Sequence, residues 1–173
     1  VSDDATAIDR RETLVALPFL PRQLREPGAL PLQLVLSWVT TFIPSIALAA
    51  IIGLIAPNVE QPKFDVSGPL AIFLLVIFAP VLETLIMGGA LLILLRFVSP
   101  TVAVILSAVG WGIAHSTAAP TWGLVIWWPF LIFSTLFVTW RQKSLGAAFV
   151  VPAMAHGLHN LPTAILLASG ITI

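Results

Sequence analysis

The sequence has no cysteine, which excludes disulfides and thiolate metal sites and leaves the redox compartment unreadable. Charge is also scarce. Asp, Glu, Lys and Arg make up 9% of the 173 residues and cancel to a net charge of zero. That balance gives no footing for nucleic acid or for a strongly acidic partner. Most of the charge lies at the front: residues 1–26 hold five of the eight acids and four of the eight bases. They lack the basic-then-apolar layout of a cleavable signal peptide. An internal repeat is missing too, which argues against a small transporter or proton pathway.

What the chain has in excess is apolar surface. Hydrophobic residues are 58% of the total and the mean hydropathy is +1.04, more than a water-soluble domain uses. The composition predicts an integral membrane protein with an all-α fold, a polytopic transmembrane helical bundle of about five spans, and membrane lipid as its first partner. The length suits one compact domain. Residues 1–29 read as a polar tail or an interfacial segment, in which Ser2, Asp3 and Asp4 suit the cap of a short helix ending near Leu17. Pro18, Pro21 and Pro27 break the chain after it.

Residues 30–173 make the transmembrane domain. The expected spans are Leu30 to Ala56, Pro69 to Leu95, Thr101 to Ala119, Gly123 to Trp140, and Leu145 to Ala168. Pro44 and Pro129 predict kinks, and Pro152 and Pro162 are expected to interrupt the last span. Trp127, Trp128 and Trp140 include candidates for headgroup-level anchors. If the spans alternate, Arg22, Arg25, Arg96, Arg141 and Lys143 share one side, and the opposite loops hold only Lys63. The positive-inside rule then predicts a cytoplasmic N-terminus, with a bacterial cytoplasmic membrane as the expected location.

Within this apolar chain, Glu83 is the one carboxylate inside a span. A charge at that depth costs a few kcal/mol or more unless it faces protein or water, so intramembrane ionisable groups are candidate functional sites. A protonated Glu bonded to a neighbouring helix is the structural alternative. The histidines decide between the two. Glu83 lies 12 residues before Leu95, His115 lies 14 after Thr101, and His156 and Asn160 lie 11 and 15 after Leu145. At about 1.5 Å per residue, all four are roughly 17–22 Å from the same face. Three helices therefore put their interior polar groups at one level. His156 and Asn160, four apart, share a helix face, while His159 either joins that face or points aside. Small residues surround these positions: Ala108, Gly110, Gly112 and Ala114 near His115, and Ala153, Ala155 and Gly157 near His156. They predict close helix contact.

One carboxylate, two or three imidazoles and an amide suit peptide hydrolysis. A carboxylate takes a proton from water and passes it to the leaving amine, while an imidazole and an amide N–H bond the oxyanion. The same imidazoles suit a zinc ion, with Glu83 as ligand or base; a divalent metal is possible but not required, and the metal state stays open.

Glu83-Thr84-Leu85-Ile86-Met87-Gly88-Gly89, then Trp111-Gly112-Ile113-Ala114-His115, then His156-Gly157-Leu158-His159-Asn160 resemble the three motifs of the CAAX-protease and bacteriocin-processing family of intramembrane proteases. The family's pattern is Glu-Glu-x-x-x-Arg, an aromatic-x-x-x-His, and His-x-x-x-Asn or Asp, and the similar region is roughly residues 69–168. The resemblance implies a helical bundle with a wet cavity that hydrolyses a peptide bond of a membrane-associated substrate. Carried over by position, the catalytic residues would be Glu83 to activate water, His115 to assist it, and His156 with Asn160 to hold the oxyanion. Members have been described both as metal-dependent and as glutamate-based proteases. Two positions depart from the pattern: Thr84 stands where the family has a second Glu, and Gly88 where it has Arg. An acid and its basic partner are lost as a pair, which leaves no lone buried charge. An alternative reading is therefore a catalytically inactive member that serves as a subunit of a larger complex of membrane proteins.

Overall fold

The computed structural model describes residues 15–171. Among them are six helices and no strand: α1 (Arg22–Arg25, a single turn), α2 (Leu30–Ile55), α3 (Gly68–Leu94), α4 (Pro100–Ser116), α5 (Trp122–Arg141) and α6 (Leu145–Ala168). The five long helices are the expected spans. The helices α2, α3 and α5 are long and apolar enough to cross a bilayer, while α4 is apolar but shorter. The 24-residue α6 is long enough, and carries the two histidines and the asparagine in its interior. The chain is an integral membrane protein by these spans, an all-α polytopic bundle.

Local chemistry sets the helix starts. Proline stands in the first turn of α2, α3 and α4, where its missing N–H is not needed. The hydroxyls of Ser99 and Ser144 accept the Val102 and Ala147 N–H groups and cap α4 and α6. Gly68 has φ of 61°, a left-handed conformation that suits glycine, where the loop turns into α3.

Four expectations need correction. The last span is not interrupted: α6 runs unbroken from Leu145 to Ala168 with Pro152 and Pro162 inside it. Lipid offers the backbone no other partners, so a helix in a membrane continues through proline. The third span stops at Ser116 rather than near Ala119, so His115 sits in the last turn of α4. Pro120 disfavours helical geometry at Ala119, and the Thr117 hydroxyl donates to Ala114 O at 2.7 Å, which helps close the end. Trp140 is buried and so does not anchor at a headgroup; Trp128 points inward and donates Nε1–H to Thr40 O at 2.7 Å. The expected N-terminal helix lies largely outside the described residues, and Val15–Leu17 are not helical. Val15, Leu17, Leu20 and Leu24 are buried in the core, so this part of the N-terminal segment is packed rather than solvated.

At the centre is α5, in which every residue from Pro129 to Trp140 is buried. A helix apolar all round belongs inside a bundle. The outer helices keep large apolar side chains exposed, among them Leu54, Ile86, Ile113 and Val150. In lipid such exposure costs nothing, and it leaves packing and hydrogen bonds to hold the helices together. Ser134 bonds Ser107 across α5 and α4 at 2.9 Å, and Thr139 donates to Leu24 O at 3.0 Å. Gly112 of α4 crosses Gly123 of α5 backbone to backbone; a Cβ on Gly123 would overlap Gly112 O. Gly110 and Ala114 make no such contact: nothing lies within 4 Å of a Cβ built on Gly110, and Ala114 is exposed. Of the small residues around His115, it is Ala108 and Gly112 that are buried.

The helices alternate in direction. Leu24 lies beside Thr139, and the Ala16 N–H donates to Thr101 Oγ1 at 2.8 Å. These contacts gather the N-terminal segment, the α3–α4 turn and the α5–α6 turn at one end of the bundle. The basic residues Arg22, Arg25, Arg96, Arg141 and Lys143 lie in or beside those stretches.

Candidate active site

A cavity of about 370 Å³ opens among α2, α3, α4, α5 and α6, and Glu83, His115, His156, His159 and Asn160 all line it. All four candidate catalytic residues, and the undecided His159, reach this one space. Another cavity of about 590 Å³ between α2 and α6 is lined by Leu34, Trp38, Leu161 and other apolar residues and carries no chemistry.

Glu83 projects from α3 toward α6. Its Oε2 lies 3.8 Å from His156 Nε2, facing it but beyond hydrogen-bond length. Glu83 Oε2 and His156 Nδ1 are buried without a hydrogen-bond partner among the described residues. Neither atom is bonded by a neighbouring side chain, so each is free to bond a polar group in the cavity. The Glu83 side chain is 24% exposed and that of His156 only 7%; the acid, not the imidazole, has the opening.

The imidazoles are held by specific contacts. His115 Nδ1 donates to Trp111 O at 2.9 Å, which leaves Nε2 as the acceptor nitrogen. Its ring meets Trp122 edge-on with centroids 4.7 Å apart. His156 stacks on Phe133 at 4.7 Å and is met by the edge of Phe130 at 5.3 Å. Phe130 meets both histidines, His115 at 5.6 Å and His156 at 5.3 Å, and Trp111, the aromatic position four before His115, stacks behind it at 4.4 Å. This aromatic wall on α5 was not legible as part of the site. Phe130 and Phe133 are two of many apolar residues in that span, and only the tertiary structure selects them.

Asn160 is positioned by a backbone irregularity. Residues Phe73–Phe78 of α3 form a π-helical turn. Inside it, Leu75 O accepts Asn160 Nδ2–H at 2.9 Å. A π turn shifts the backbone ladder and exposes carbonyls to other partners, and such turns recur at functional sites. A Cβ on Gly157 would stand 2.5 Å from Val76 O, so glycine there lets α6 lie against the same turn. One Asn160 N–H is thus committed, and the side chain lines the cavity.

The two departures from the family pattern lie behind the site. Thr84 is buried, and a Cβ on Gly88 would overlap the Phe149 ring and stand 2.5 Å from Phe137. Aromatic rings fill the space that a long basic side chain would need. Phe64, from the loop between α2 and α3, lines the cavity and meets Trp122 edge-on at 5.7 Å.

Among the described residues, no three His, Asp or Glu side chains stand close enough together to share a metal ion. The donors as placed do not fit a zinc site, which needs three or four ligands near 2 Å from one point.

Beyond the geometry, a family comparison bears on the chain. A family described as type II CAAX prenyl endopeptidase Rce1-like matches residues 65–162. The match takes in Glu83, His115, His156 and Asn160 and starts and ends a few residues earlier than the 69–168 read from the motifs. No curated protein and no solved structure gives a significant match. With more than half its length matched, and its motif residues gathered at one cavity, this chain belongs to the Rce1-like family of type II CAAX prenyl endopeptidases.

Proposed function

We propose that the protein is an intramembrane endopeptidase that hydrolyses a peptide bond of a membrane-associated substrate. The observation that supports this reading most is the opposition of Glu83 and His156 across a cavity that His115 and Asn160 also line. Glu83 takes a proton from water, and the water oxygen adds to the carbonyl carbon of the scissile bond. His115, a cavity-lining side chain whose Nε2 is left as the acceptor, aligns that water. An N–H of His156 and the uncommitted N–H of Asn160 bond the oxyanion. As the C–N bond breaks, Glu83 returns the proton to the leaving amine, so the carboxylate is regenerated. The basic residues at one end of the bundle orient that end, with the N-terminus, toward the cytoplasm.

A second reading is favoured by Gly88, whose surroundings are closed by Phe149 and Phe137. In that reading the chain keeps the family fold as a non-catalytic subunit of a membrane complex. One experiment separates the two. The protein is purified in lipid nanodiscs and given a quenched-fluorescence peptide with a farnesylated cysteine near its C-terminus. The peptidase reading expects cleavage by the wild type and a loss on the order of 100-fold or more in Glu83→Gln. Full cleavage by Glu83→Gln would overturn the mechanism. A stable co-purifying complex with no cleavage would favour the subunit.

A further inference from the structure

His159 is not one of the positions that match the family's motifs, yet it lines the same cavity. Its Nδ1 lies 3.0 Å from Thr41 Oγ1 of α2. The hydroxyl proton of Thr41 is already engaged by Trp38 O at 3.2 Å. The threonine oxygen then has a lone pair for the ring, an arrangement that calls for the proton on Nδ1 and a bare Nε2. Phe42 and Phe133 flank the ring edge-on, with centroids 6.1 and 6.0 Å away, and hold its plane. Thr41 is fully buried and lies outside the matched residues 65–162.

A bare imidazole nitrogen accepts a hydrogen bond and repels an oxyanion. His159 is thus unsuited to the role of His156 and Asn160, and suited to a donor. A peptide entering the membrane brings backbone N–H groups, each costly to leave unpaired in a dry environment. We infer that His159 is a substrate-binding residue whose Nε2 accepts a backbone N–H of the bound peptide, and that Thr41 is the positioning residue that sets its tautomer and orientation. This rests on the peptidase reading and gives α2 a polar role at a site whose motif residues all come from the matched region.

Thr41→Val keeps the shape and removes the acceptor, while Thr41→Ser keeps the acceptor. The first measurement is nitrogen NMR of the full chain in nanodiscs with labelled histidine, assigned by His159→Gln. It needs no activity. The expected result is an Nδ1-protonated His159 in the wild type and in Thr41→Ser, and loss of that single tautomer in Thr41→Val. The second measurement is cleavage of the farnesylated peptide. Thr41→Val and His159→Phe are expected to raise KM about tenfold, the value of one hydrogen bond, with a much smaller change in kcat. Thr41→Ser and His159→Gln, which retain an acceptor, are expected to recover most of the loss. An Nε2-protonated His159 in the wild type overturns the inference whatever the activity. A lost tautomer with unchanged KM overturns the substrate contact and leaves Thr41 a structural residue. Absence of cleavage by the wild type fails the peptidase reading and takes the substrate contact with it, while the NMR result alone then decides the role of Thr41.

Discussion

Gly123→Ala gives the sharpest packing test of this bundle. A Cβ at that position would overlap Gly112 O and Ser116 Oγ, and real Cβ atoms essentially never come within 3.0 Å of such atoms. One of the two obstacles is backbone, so no rotamer change relieves it. The axes of α4 and α5 must part by about 1 Å, which forfeits a sizeable share of the van der Waals contact along the crossing. Overpacking a close contact costs about 1–3 kcal/mol. Gly123 is the second residue of α5, where helix propensity returns little, so a net loss of about 2–3 kcal/mol is expected. For a chain of this size that is a fall of about 4–12 °C in Tm. Gly110→Ala is the control. Nothing lies within 4 Å of its Cβ, and mid-helix alanine is favoured over glycine by up to about 1 kcal/mol. Thermal unfolding of both variants in nanodiscs, followed by tryptophan fluorescence, should show Gly123→Ala lowered and Gly110→Ala equal or raised. If the two behave alike, the α4–α5 crossing is not where it is placed, and neither is His115.

Other outcomes follow from the site. Asn160→Ala leaves Leu75 O without its donor inside the bundle and should cost about 1–3 kcal/mol in the same unfolding assay, beyond any loss of cleavage. Gly88→Arg, which restores the family's residue, should not restore a family-like site. It drives a charge into the Phe149 and Phe137 rings without the acid that Thr84 replaces, and such an unpaired buried charge costs about 3–5 kcal/mol. The yield of folded protein should drop sharply; wild-type yield and Tm would show that the space behind the site is open.

Much of this architecture was legible because a membrane leaves little choice. The spans were marked by length, by prolines at the starts of three of them and by charges between them, and α6 was placed at Leu145–Ala168 by its length and by Arg141 and Lys143 just before it. The shared depth of Glu83, His115, His156 and Asn160 was likewise readable, since rise per residue converts sequence distance into depth. What could not be read was lateral: which residue of a neighbouring helix stands beside each polar group. Thr41 is one hydroxyl among several on a span without ionisable residues. The π turn at Phe73–Phe78 has no composition that sets it apart from the apolar run around it. Phe130 and Phe133 were lost among equivalent apolar residues. Proline was over-read, because rules for water-exposed helices break a helix where lipid keeps it whole.

The central claim is that Glu83 opens to water and not to acyl chains. The absence of native cysteine makes this directly measurable, since a single introduced thiol is the only one to react. Leu82 and Ile86 on the same helix are 44% and 56% exposed, while the Glu83 side chain is 24% exposed. In Glu83→Cys, Leu82→Cys and Ile86→Cys, reconstituted in nanodiscs, the rate of modification by a charged, membrane-impermeant thiosulfonate should rank opposite to exposed area. Cysteine at position 83 should react, and cysteines at 82 and 86, facing lipid, should not. A protected thiol at 83, or equal labelling at all three, would contradict the account.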